Sequence, residues 1–391
     1  MMRNSILALA LGAAIAGNAA AADRVKIGFL STLSGPAAAI GTDVRDAFQL
    51  FVKLNGGKLG GLPAEVIVVD DQVNADVGRQ AVERFLKRER VDIMTGTVFS
   101  AVLLPILPQI LESKTFFVSP NTGPKDYAGD KCNPYFFAAA WQNEDLANAM
   151  GRFVTERGFK NVTLVAPNYP GGRETLDGFK RTFKGKYEEI YTKLNQLDYA
   201  AELAQLRAAK PEALFVFLPG GMGINFVKQF VASGLSKDVQ LFVPGFNADE
   251  DTLRALGDSM LGVFNTSQWA HDLDNAANKK FVAAFRQEFG RMPTMYASQS
   301  YDAAQLIDAG IRDVKGKIED KRAFQKALEA ARFQSVRGNF KLNKNHYPIH
   351  DIYMRVVSKD AEGRVTNKTI GKAVADFSDP FASSCNMPQA N

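Results

Sequence analysis

The segment Val25–Gly57 constrains the fold of this chain more than any other. It reads as an apolar strand (VKIGFL), a loop rich in glycine, proline and small residues (STLSGPAAAIG), and an amphipathic stretch that ends in Asn-Gly-Gly. A strand that leads through a short loop into a helix is typical of α/β folds, in which helices cover a parallel sheet. Gly56 and Gly57 predict a left-handed C-terminal cap for the helix. One stripe of this helix carries its apolar side chains, Val44, Ala47, Phe48, Phe51 and Leu54.

The first 22 residues have the pattern of a secretory signal peptide. Arg3 precedes the apolar run Ile6–Ala16, and Ala20 and Ala22 stand at the spacing of an A-x-A cleavage site. The mature chain would then start near Asp23 and lie outside the cytoplasm. Nucleotide cofactors, which often occupy open α/β folds, are scarce there. We therefore expect no cofactor and a small-molecule ligand from outside the cell.

Composition narrows the class of protein further. About 370 residues follow the predicted signal peptide, which is more than one comfortable core and predicts two domains. The formal net charge is +5, and no basic block with interleaved aromatic residues occurs. This pattern argues against nucleic-acid binding. Beyond the signal peptide, no apolar run reaches the ~20 residues that span a bilayer.

The chain has two cysteines and three histidines. In an oxidising compartment, Cys132 and Cys385 predict a single disulfide that ties the C-terminal tail to the segment near residue 132, with two unrelated buried thiols as the alternative. His346 and His350 are four residues apart, but Pro348 lies between them and disrupts the helical face that would align them as metal ligands. We expect no metal site.

Apolar β-rich runs and amphipathic stretches alternate through most of the chain. Four predicted strands precede residue 140 and five lie between residues 160 and 267. This spacing predicts an α/β protein with two doubly wound parallel-sheet lobes, joined by a hinge that the chain crosses three times. We expect residues 23–140 and 271–346 in the N-terminal lobe, residues 141–270 and 347–378 in the C-terminal lobe, and residues 379–391 in a tail held by the disulfide.

The motifs of common enzymes are absent. The sequence contains no G-x-G-x-x-G, P-loop, G-x-S-x-G or S-x-x-K motif, and the segment GDSML at Gly257–Leu261 follows a helix and predicts a loop. Paired acids such as Asp70 and Asp71 fit helix starts or solvent-facing positions. We therefore predict no catalytic residues, which leaves an exported enzyme as the weakest interpretation.

Ligands of open α/β sheets bind at the carboxyl ends of the strands, where loops meet helix N-termini. Ser100 begins a predicted helix, so its hydroxyl and the free backbone N–H groups could bind an anion. Asn121 and Thr122 could do the same in the neighbouring loop. For Ser100, a simple N-cap is the alternative. The loops expected at the cleft are 31–41, 96–101 and 119–124 in the first lobe, and 167–173, 218–223 and 244–248 in the second.

Further segments carry a family likeness, namely VVDDQVNADVGRQAVERFL, TGTVFSA, SPNTGP, VAPNYPGG, FLPGGMGINFVKQF and YASQSYDAAQLI. Together with SGPAAAIG and NGG, they resemble the type I periplasmic solute-binding proteins of ABC importers, in the class that binds branched-chain amino acids. The resemblance covers nearly all of residues 24–357. It implies two α/β lobes, joined by a three-strand hinge, that close around one ligand.

The resemblance also implies roles for individual residues. It places Ser100 with Asn121 and Thr122 at the ligand carboxylate, and Tyr169 on the second lobe, reaching across on closure. Tyr296 would line the side-chain pocket. For Tyr169, the alternative is that its ring packs within its own lobe.

Three positions depart from the amino-acid binders. Phe246 stands where a carboxylate would hold the ligand's ammonium group, Ile40 replaces an aromatic residue, and Leu218–Pro219 replaces a polar or aromatic one. A buried ammonium without a counter-charge costs several kcal/mol, so either Asp249 or Glu250 supplies the charge or the ligand lacks an amine. We favour an aromatic or hydrophobic acid of the benzoate, phenylpropanoid or keto-acid kind. The predicted ligand-binding residues are Ile40, Phe99, Ser100, Asn121, Thr122, Tyr169, Pro219, Gly220, Phe246 and Tyr296.

These observations predict a monomeric, non-enzymatic, periplasmic substrate-binding protein of an ABC transporter. It would trap a small carboxylate by lobe closure and deliver it to the membrane permease subunits. A receptor of the same fold that signals to a partner protein is the alternative.

Overall fold

A computed structural model describes residues 23–391, so the predicted signal peptide lies outside the described residues. Two α/β lobes are present, each built on one sheet, which confirms the predicted fold class. The first sheet contains β1 (Val25–Ser31), β2 (Lys58–Leu59), β3 (Leu62–Asp70), β4 (Ile93–Gly96), β5 (Phe116–Ser119) and β6 (Phe136–Ala138). The second contains β7 (Asn161–Pro167), β8 (Lys186–Thr192), β9 (Ala213–Val216), β10 (Gln240–Pro244), β11 (Phe264–Ser267), β12 (Phe340–Leu342), β13 (Pro348–Lys359) and β14 (Val365–Phe377).

Helices connect these strands and cover the sheets. In chain order they are α1 (Ala38–Leu54), α2 (Ala75–Arg84), α3 (Ser100–Glu112), α4 (Lys125–Ala128), α5 (Asp145–Glu156), α6 (Pro170–Thr182), α7 (Ala200–Ala209), α8 (Gly221–Ala232), α9 (Glu250–Leu256), α10 (Ala276–Phe289), α11 (Met295–Asp313) and α12 (Lys321–Glu329).

The strand order places the loops that matter for binding. The first sheet has the order β2-β3-β1-β4-β5-β6, with β1 parallel to both β3 and β4. The second has the order β12-β13-β11-β10-β9-β7-β8, with β14 paired to β13. In both sheets, the parallel strands end at one common edge. The loops that follow β4, β5, β7, β9 and β10 therefore gather where ligands bind in open α/β sheets.

The first helix behaves as the sequence predicts up to its last turn. Val44 and Phe48 are fully buried, and α1 packs along α11. Gly56 and Gly57 have φ values of 69° and 76°, in the left-handed region, and the Gly57 N–H donates to the Val52 carbonyl oxygen at 2.8 Å. Leu54 departs from the prediction, because it lies at the surface and its side chain is 51% exposed.

Some elements differ from the predicted pattern. The structure adds the short strands β2 and β6, the short helix α4, and the long strand β14, which forms an antiparallel hairpin with β13. Most side chains of β14 are exposed or half-buried, so its sequence lacks the apolar run by which buried strands were identified. Gly257–Met260, predicted as a loop, forms a 3-10 turn.

The chain passes between the lobes at three places before β13. Residues 139–144 lead from β6 to α5, residues 268–275 lead from β11 to α10, and residues 330–339 lead from α12 to β12. The third passage differs from the expected boundary at residue 346, because β12 already pairs with β13 in the second sheet.

A fourth connection follows β14. The predicted disulfide between Cys132 and Cys385 is present and joins the tail to the first lobe. The last residues bind there as well, since the Tyr135 hydroxyl donates to the Asn391 carbonyl oxygen at 2.7 Å and the Ala390 N–H donates to Gln325 Oε1 at 2.7 Å. The tail is therefore held at several points on the first lobe.

The two spaced histidines have separate surroundings. The His346 ring stacks on Phe137 and lies 2.8 Å from a Glu329 oxygen, whereas His350 lies 3.5 Å from an Asp145 oxygen. In residues 23–391, no group of three or more His, Cys, Asp or Glu side chains is placed to hold a metal ion. Over the same range, no helix combines the length and apolarity needed to cross a bilayer.

The disulfide predicts a measurable stability effect. We expect the Cys132→Ser/Cys385→Ser variant to lose about 2–5 kcal/mol of unfolding free energy, because the bond closes a long loop in the unfolded chain. Urea unfolding followed by circular dichroism measures the difference. Dithiothreitol should destabilise the unmodified protein and leave the variant unchanged. Equal stability of the two oxidised proteins would contradict the prediction.

Candidate ligand-binding site

A cavity lies between the lobes at the carboxyl ends of both sheets. Residues of both lobes contribute to its lining. Nine of the ten predicted ligand-binding residues line it, with Gly220 the exception. The lining residues are Ile40, Val98, Phe99, Ser100, Asn121, Thr122, Trp141, Asn143, Tyr169, Gly171, Thr175, Phe217, Pro219, Phe246 and Tyr296.

At one end of the cavity, the N-termini of α3 and α6 meet across the cleft. Phe99 occupies the N-cap position of α3, so Ser100 does not have the simple capping role considered as its alternative. Instead, Ser100 Oγ accepts a hydrogen bond from the Gly171 N–H at 2.8 Å, and Gly171 belongs to the second lobe. The dipoles of two helix N-termini favour an anion at this place.

Asn121 and Thr122 lie beside this end in a rigid loop after β5. The Asn121 Nδ2 donates to the Val98 carbonyl oxygen at 2.5 Å, and the Thr122 N–H donates to Ser119 Oγ at 3.1 Å. A Cβ atom on Gly123 would lie 1.8 Å from the Trp141 carbonyl oxygen, so the close approach requires glycine. The loop is therefore held in place by contacts within the protein.

The remaining walls are mostly aromatic. The Phe246 ring lies 4.7 Å from Trp141, 5.3 Å from Phe217 and 6.1 Å from Tyr296, measured between ring centroids. These separations fall within the range in which aromatic rings attract each other. An aromatic ligand would find ring faces and edges on several sides of the cavity.

The two predicted tyrosines occupy different positions. Tyr169 packs edge-on against Phe99 of the first lobe at 5.8 Å, and it also stacks on Phe217 of its own lobe at 6.4 Å. The Tyr296 hydroxyl donates to the Phe246 carbonyl oxygen at 3.5 Å. Burial raises the pKa of both hydroxyls, so both remain neutral phenols at physiological pH.

The acids considered as partners for an ammonium group do not line the cavity. Asp249 caps α9, where its carboxylate accepts hydrogen bonds from the Thr252 N–H and hydroxyl at 2.9 Å each. Glu250 lies 3.3 Å from His271 and accepts a hydrogen bond from Asn367 Nδ2 at 3.1 Å. Among the described residues, those around the cavity include no Asp, Glu, Lys or Arg.

Gly220 takes part in a contact between the lobes. Its φ is 65°, and a Cβ atom there would lie 3.2 Å from Ile40 Cδ1. The next residue, Gly221, donates its N–H to the Pro36 carbonyl oxygen at 3.0 Å. The Gly-Gly pair thus lets the SGPAAAIG loop of the first lobe approach the second lobe closely.

The sequence interpretation missed six lining residues, Val98, Trp141, Asn143, Gly171, Thr175 and Phe217. Trp141 follows β6, a three-residue strand that the pattern did not predict, and Phe217 directly follows β9, which ends at Val216. Gly171 lies within a loop expected at the cleft, so only its individual role was missed.

Glu174, on α6 next to the lining residue Thr175, is a buried acid close to the cavity. Its Oε2 accepts hydrogen bonds from Asn143 Nδ2 at 2.8 Å and from the Lys125 N–H at 3.2 Å. Burial raises its pKa to about 7. Lys125 belongs to the first lobe, so this carboxyl group bridges the cleft.

The described residues form a two-lobed α/β protein with a cavity in the cleft between its lobes. A model of a family described as periplasmic binding protein matches residues 24–362, and the chain belongs to this family. Similar proteins include Leu/Ile/Val-binding protein homolog 6 of Brucella melitensis biotype 1, which is 26% identical over 380 residues, or 95% of this chain and 96% of the relative.

Solved structures give the same fold. An ABC-transporter solute-binding protein from R. palustris in complex with benzoate is 29% identical, with a TM-score of 0.87 over 93% of this chain and 99% of that chain. A solute-binding protein from Rhodopseudomonas palustris BisB5 in complex with 3,4-dihydroxybenzoic acid is 28% identical, with a TM-score of 0.86 over 92% and 99% of the two chains. The family and these neighbours are solute-binding proteins.

The raised pKa of Glu174 predicts a pH-dependent stability. The folded protein binds this proton more tightly than the unfolded chain, in which the pKa is near 4.5, so the stabilisation is lost as the pH rises through about 7. Glu174→Gln retains the accepting oxygen but not the charge. From pH 5 to pH 8, the unmodified protein should therefore lose unfolding free energy that the variant keeps. We expect the difference in unfolding free energy between the two proteins to shift in favour of the variant by on the order of 1–2 kcal/mol.

Urea unfolding at both pH values measures this gain. The matched control is Glu83→Gln on α2, where Lys87 lowers the pKa of an exposed carboxyl group, so no comparable gain is expected. Parallel pH profiles of the unmodified protein and Glu174→Gln would contradict the assignment.

Proposed function

We propose that this protein is the periplasmic solute-binding component of an ABC importer for benzoate-like aromatic carboxylates. One observation carries the proposal: residues from both lobes enclose an aromatic cavity whose described lining has no charged side chain. Neutral hydrogen-bond donors stand at one end of this cavity. The ligand that matches both features has a carboxylate at one end and an apolar ring at the other.

The donor end suits a carboxylate. The Ser100 hydroxyl accepts from Gly171, so its own hydrogen is free to donate to a ligand oxygen. Asn121 supplies an amide N–H, and the N-terminus of α3 adds backbone N–H groups with a favourable dipole. Charge-assisted hydrogen bonds of this kind are about twice as strong as neutral ones.

The aromatic end suits a ring better than a branched aliphatic chain. Phe246 contacts three other rings of the lining, so a ligand ring placed beside it would extend an existing cluster. The two Rhodopseudomonas proteins with bound benzoate and 3,4-dihydroxybenzoate support this assignment, since each is similar to nearly the whole chain.

A branched-chain amino acid is the second candidate ligand, and the Brucella relative named as a Leu/Ile/Val-binding protein homolog favours it. Its ammonium group would need a counter-charge in the closed cleft. Asp249 and Glu250 are engaged elsewhere, and Phe246 lines the cavity where a carboxylate was expected. A buried unpaired ammonium is costly, so we place the amine-free acid first.

We infer that the ligand acts by stabilising the closed arrangement of the lobes. Ser100 and Asn121 belong to the first lobe and Gly171 and Phe246 to the second, so a ligand that contacts all four holds the lobes together. The closed form would then dock on the membrane permease. The signal peptide predicted at residues 1–22 would deliver the protein, as a monomer, to the periplasm.

A ligand panel tests the proposed function. We expect benzoate and 3,4-dihydroxybenzoate to raise the melting temperature of the mature protein, because a ligand that binds only the folded state stabilises it according to its affinity. Leucine and valine should have much smaller effects. Differential scanning fluorimetry measures the shifts, with benzamide as the control for the carboxylate. Stabilisation by leucine and by no aromatic acid would refute the proposal.

A charge placed at Phe246 tests the orientation of the ligand. Phe246→Glu should weaken benzoate binding at least about 30-fold, since it brings a buried negative charge toward an anionic ligand and removes ring contacts. The matched control, Phe246→Leu, removes the ring alone and should cost less. Isothermal titration calorimetry gives both dissociation constants. Equal losses in the two variants would show that the charge at this position does not face the ligand.

A further inference from the structure

A chain of buried amide side chains leads to the donor end of the cavity. Gln268 Nε2 donates to Gln299 Oε1 at 2.7 Å, and Gln299 Nε2 donates to Asn121 Oδ1 at 2.7 Å. Asn121 Nδ2 in turn donates to the Val98 carbonyl oxygen at 2.5 Å. Gln268 and Gln299 are fully buried, and Asn121 is 6% exposed. Only the last of the three amides lines the cavity.

All three hydrogen bonds run in the same direction, and the two that Asn121 makes, with Gln299 and with Val98, set the orientation of its amide. Its oxygen is occupied by Gln299, and one of its two N–H groups is occupied by Val98. An asparagine amide has two N–H donors, so the second N–H remains for the cavity. The reverse orientation would bring the Asn121 oxygen close to the Val98 carbonyl oxygen and present no donor to an anion.

Gln268, the first amide of this series, indicates that the arrangement lowers the stability of the fold. Gln268 Oε1 is buried and accepts no hydrogen bond from the described residues. An unsatisfied buried acceptor is destabilising, and an apolar side chain of similar size would avoid it. Gln268 lies in the second passage between the lobes and Gln299 lies on α11, so neither residue belongs to the loop that it orients.

We propose that Gln299, supported by Gln268, is a positioning residue that makes Asn121 a hydrogen-bond donor to the ligand's carboxylate. Gln299 does not touch the ligand; it acts through Asn121. This inference rests on the proposed function, since it concerns the same cavity. It explains how the cavity would distinguish a carboxylate, which accepts hydrogen bonds, from ligand groups that donate them. It also gives a role to the amide of Gln299 at a fully buried position of α11.

A double-mutant cycle tests the inference. Benzoate dissociation constants are measured by calorimetry at pH 7 for the unmodified mature protein, Gln299→Met, Asn121→Ala and the double variant. Methionine keeps the length of the side chain and removes its amide. We expect Gln299→Met to weaken benzoate about tenfold, the value of a hydrogen bond to a charged group. In the Asn121→Ala background, the same change should cost less than about twofold, because the residue it orients is gone.

Two further variants separate positioning from stability. Gln325→Met replaces a buried glutamine on α12, remote from the cleft, and should leave the benzoate affinity unchanged. Gln268→Met interrupts the series of amides one step earlier. It should weaken benzoate binding by about threefold when Asn121 is present and have no such effect in the Asn121→Ala background. It also provides the measurement if Gln299→Met does not fold. For benzamide, which can both donate and accept, the loss in Gln299→Met should be smaller than for benzoate.

The outcomes distinguish the positioning role of Gln299 from the proposed function of the protein. If the unmodified protein binds benzoate and Gln299→Met costs the same with and without Asn121, the positioning role is wrong while the proposed function stands. The same holds if neither glutamine variant changes the affinity. If the unmodified protein binds no benzoate, the proposed function is wrong, and the positioning role falls with it.

Discussion

The ion pair between Asp302 and Arg337 holds together the region where the lobes meet. Both side chains are buried, and Arg337 Nε donates to an Asp302 oxygen at 2.9 Å. The other nitrogens of the guanidinium donate to the carbonyl oxygens of Ala139 and Ala140, the latter at 2.7 Å. Asp302 also accepts from the Ser335 hydroxyl at 2.6 Å. Three separate parts of the chain are therefore joined at one point.

Two of the three parts that meet at this junction also carry lining residues of the cavity. Asp302 lies on α11, whose first turn carries the lining residue Tyr296. Ala140 directly precedes the lining residue Trp141, and Arg337 lies in the third passage between the lobes. A buried charge that loses its partner costs about 3–5 kcal/mol. The pair thus favours one arrangement of the junction, from which Trp141 and Tyr296 extend to the cavity.

Much of the site followed from the rule that ligands bind at the carboxyl ends of parallel strands. Ser100, Asn121 and Tyr169 each follow an apolar strand that is evident in the sequence, and the structure brings all three to one cavity. Trp141 escaped because β6 has only three residues, too few to show a pattern. Nine of the ten predicted ligand-binding residues share this cavity, which shows that they lie close together. Their contact with a ligand stays a prediction.

Other features depend on contacts that a single sequence does not reveal. Gln299 reads as an ordinary polar residue of an amphipathic helix, yet it is fully buried because α11 packs between α1 and the hinge region. Asp249 was an open candidate for an ammonium partner until its capping bonds to α9 were seen. Local patterns predict where helices and strands lie, whereas the pairing of buried polar groups is decided by elements distant in the chain.

The tail and its disulfide change how the molecule responds to cleavage. Cys132 and Cys385 are 253 residues apart, and the whole second sheet lies between them. The bond therefore closes a covalent ring that contains one entire lobe and every passage between the lobes. A protease that cuts once in any exposed loop of this ring opens the ring but releases no fragment. A protein that works outside the cytoplasm would keep both walls of its cleft on one covalent molecule after such a cut.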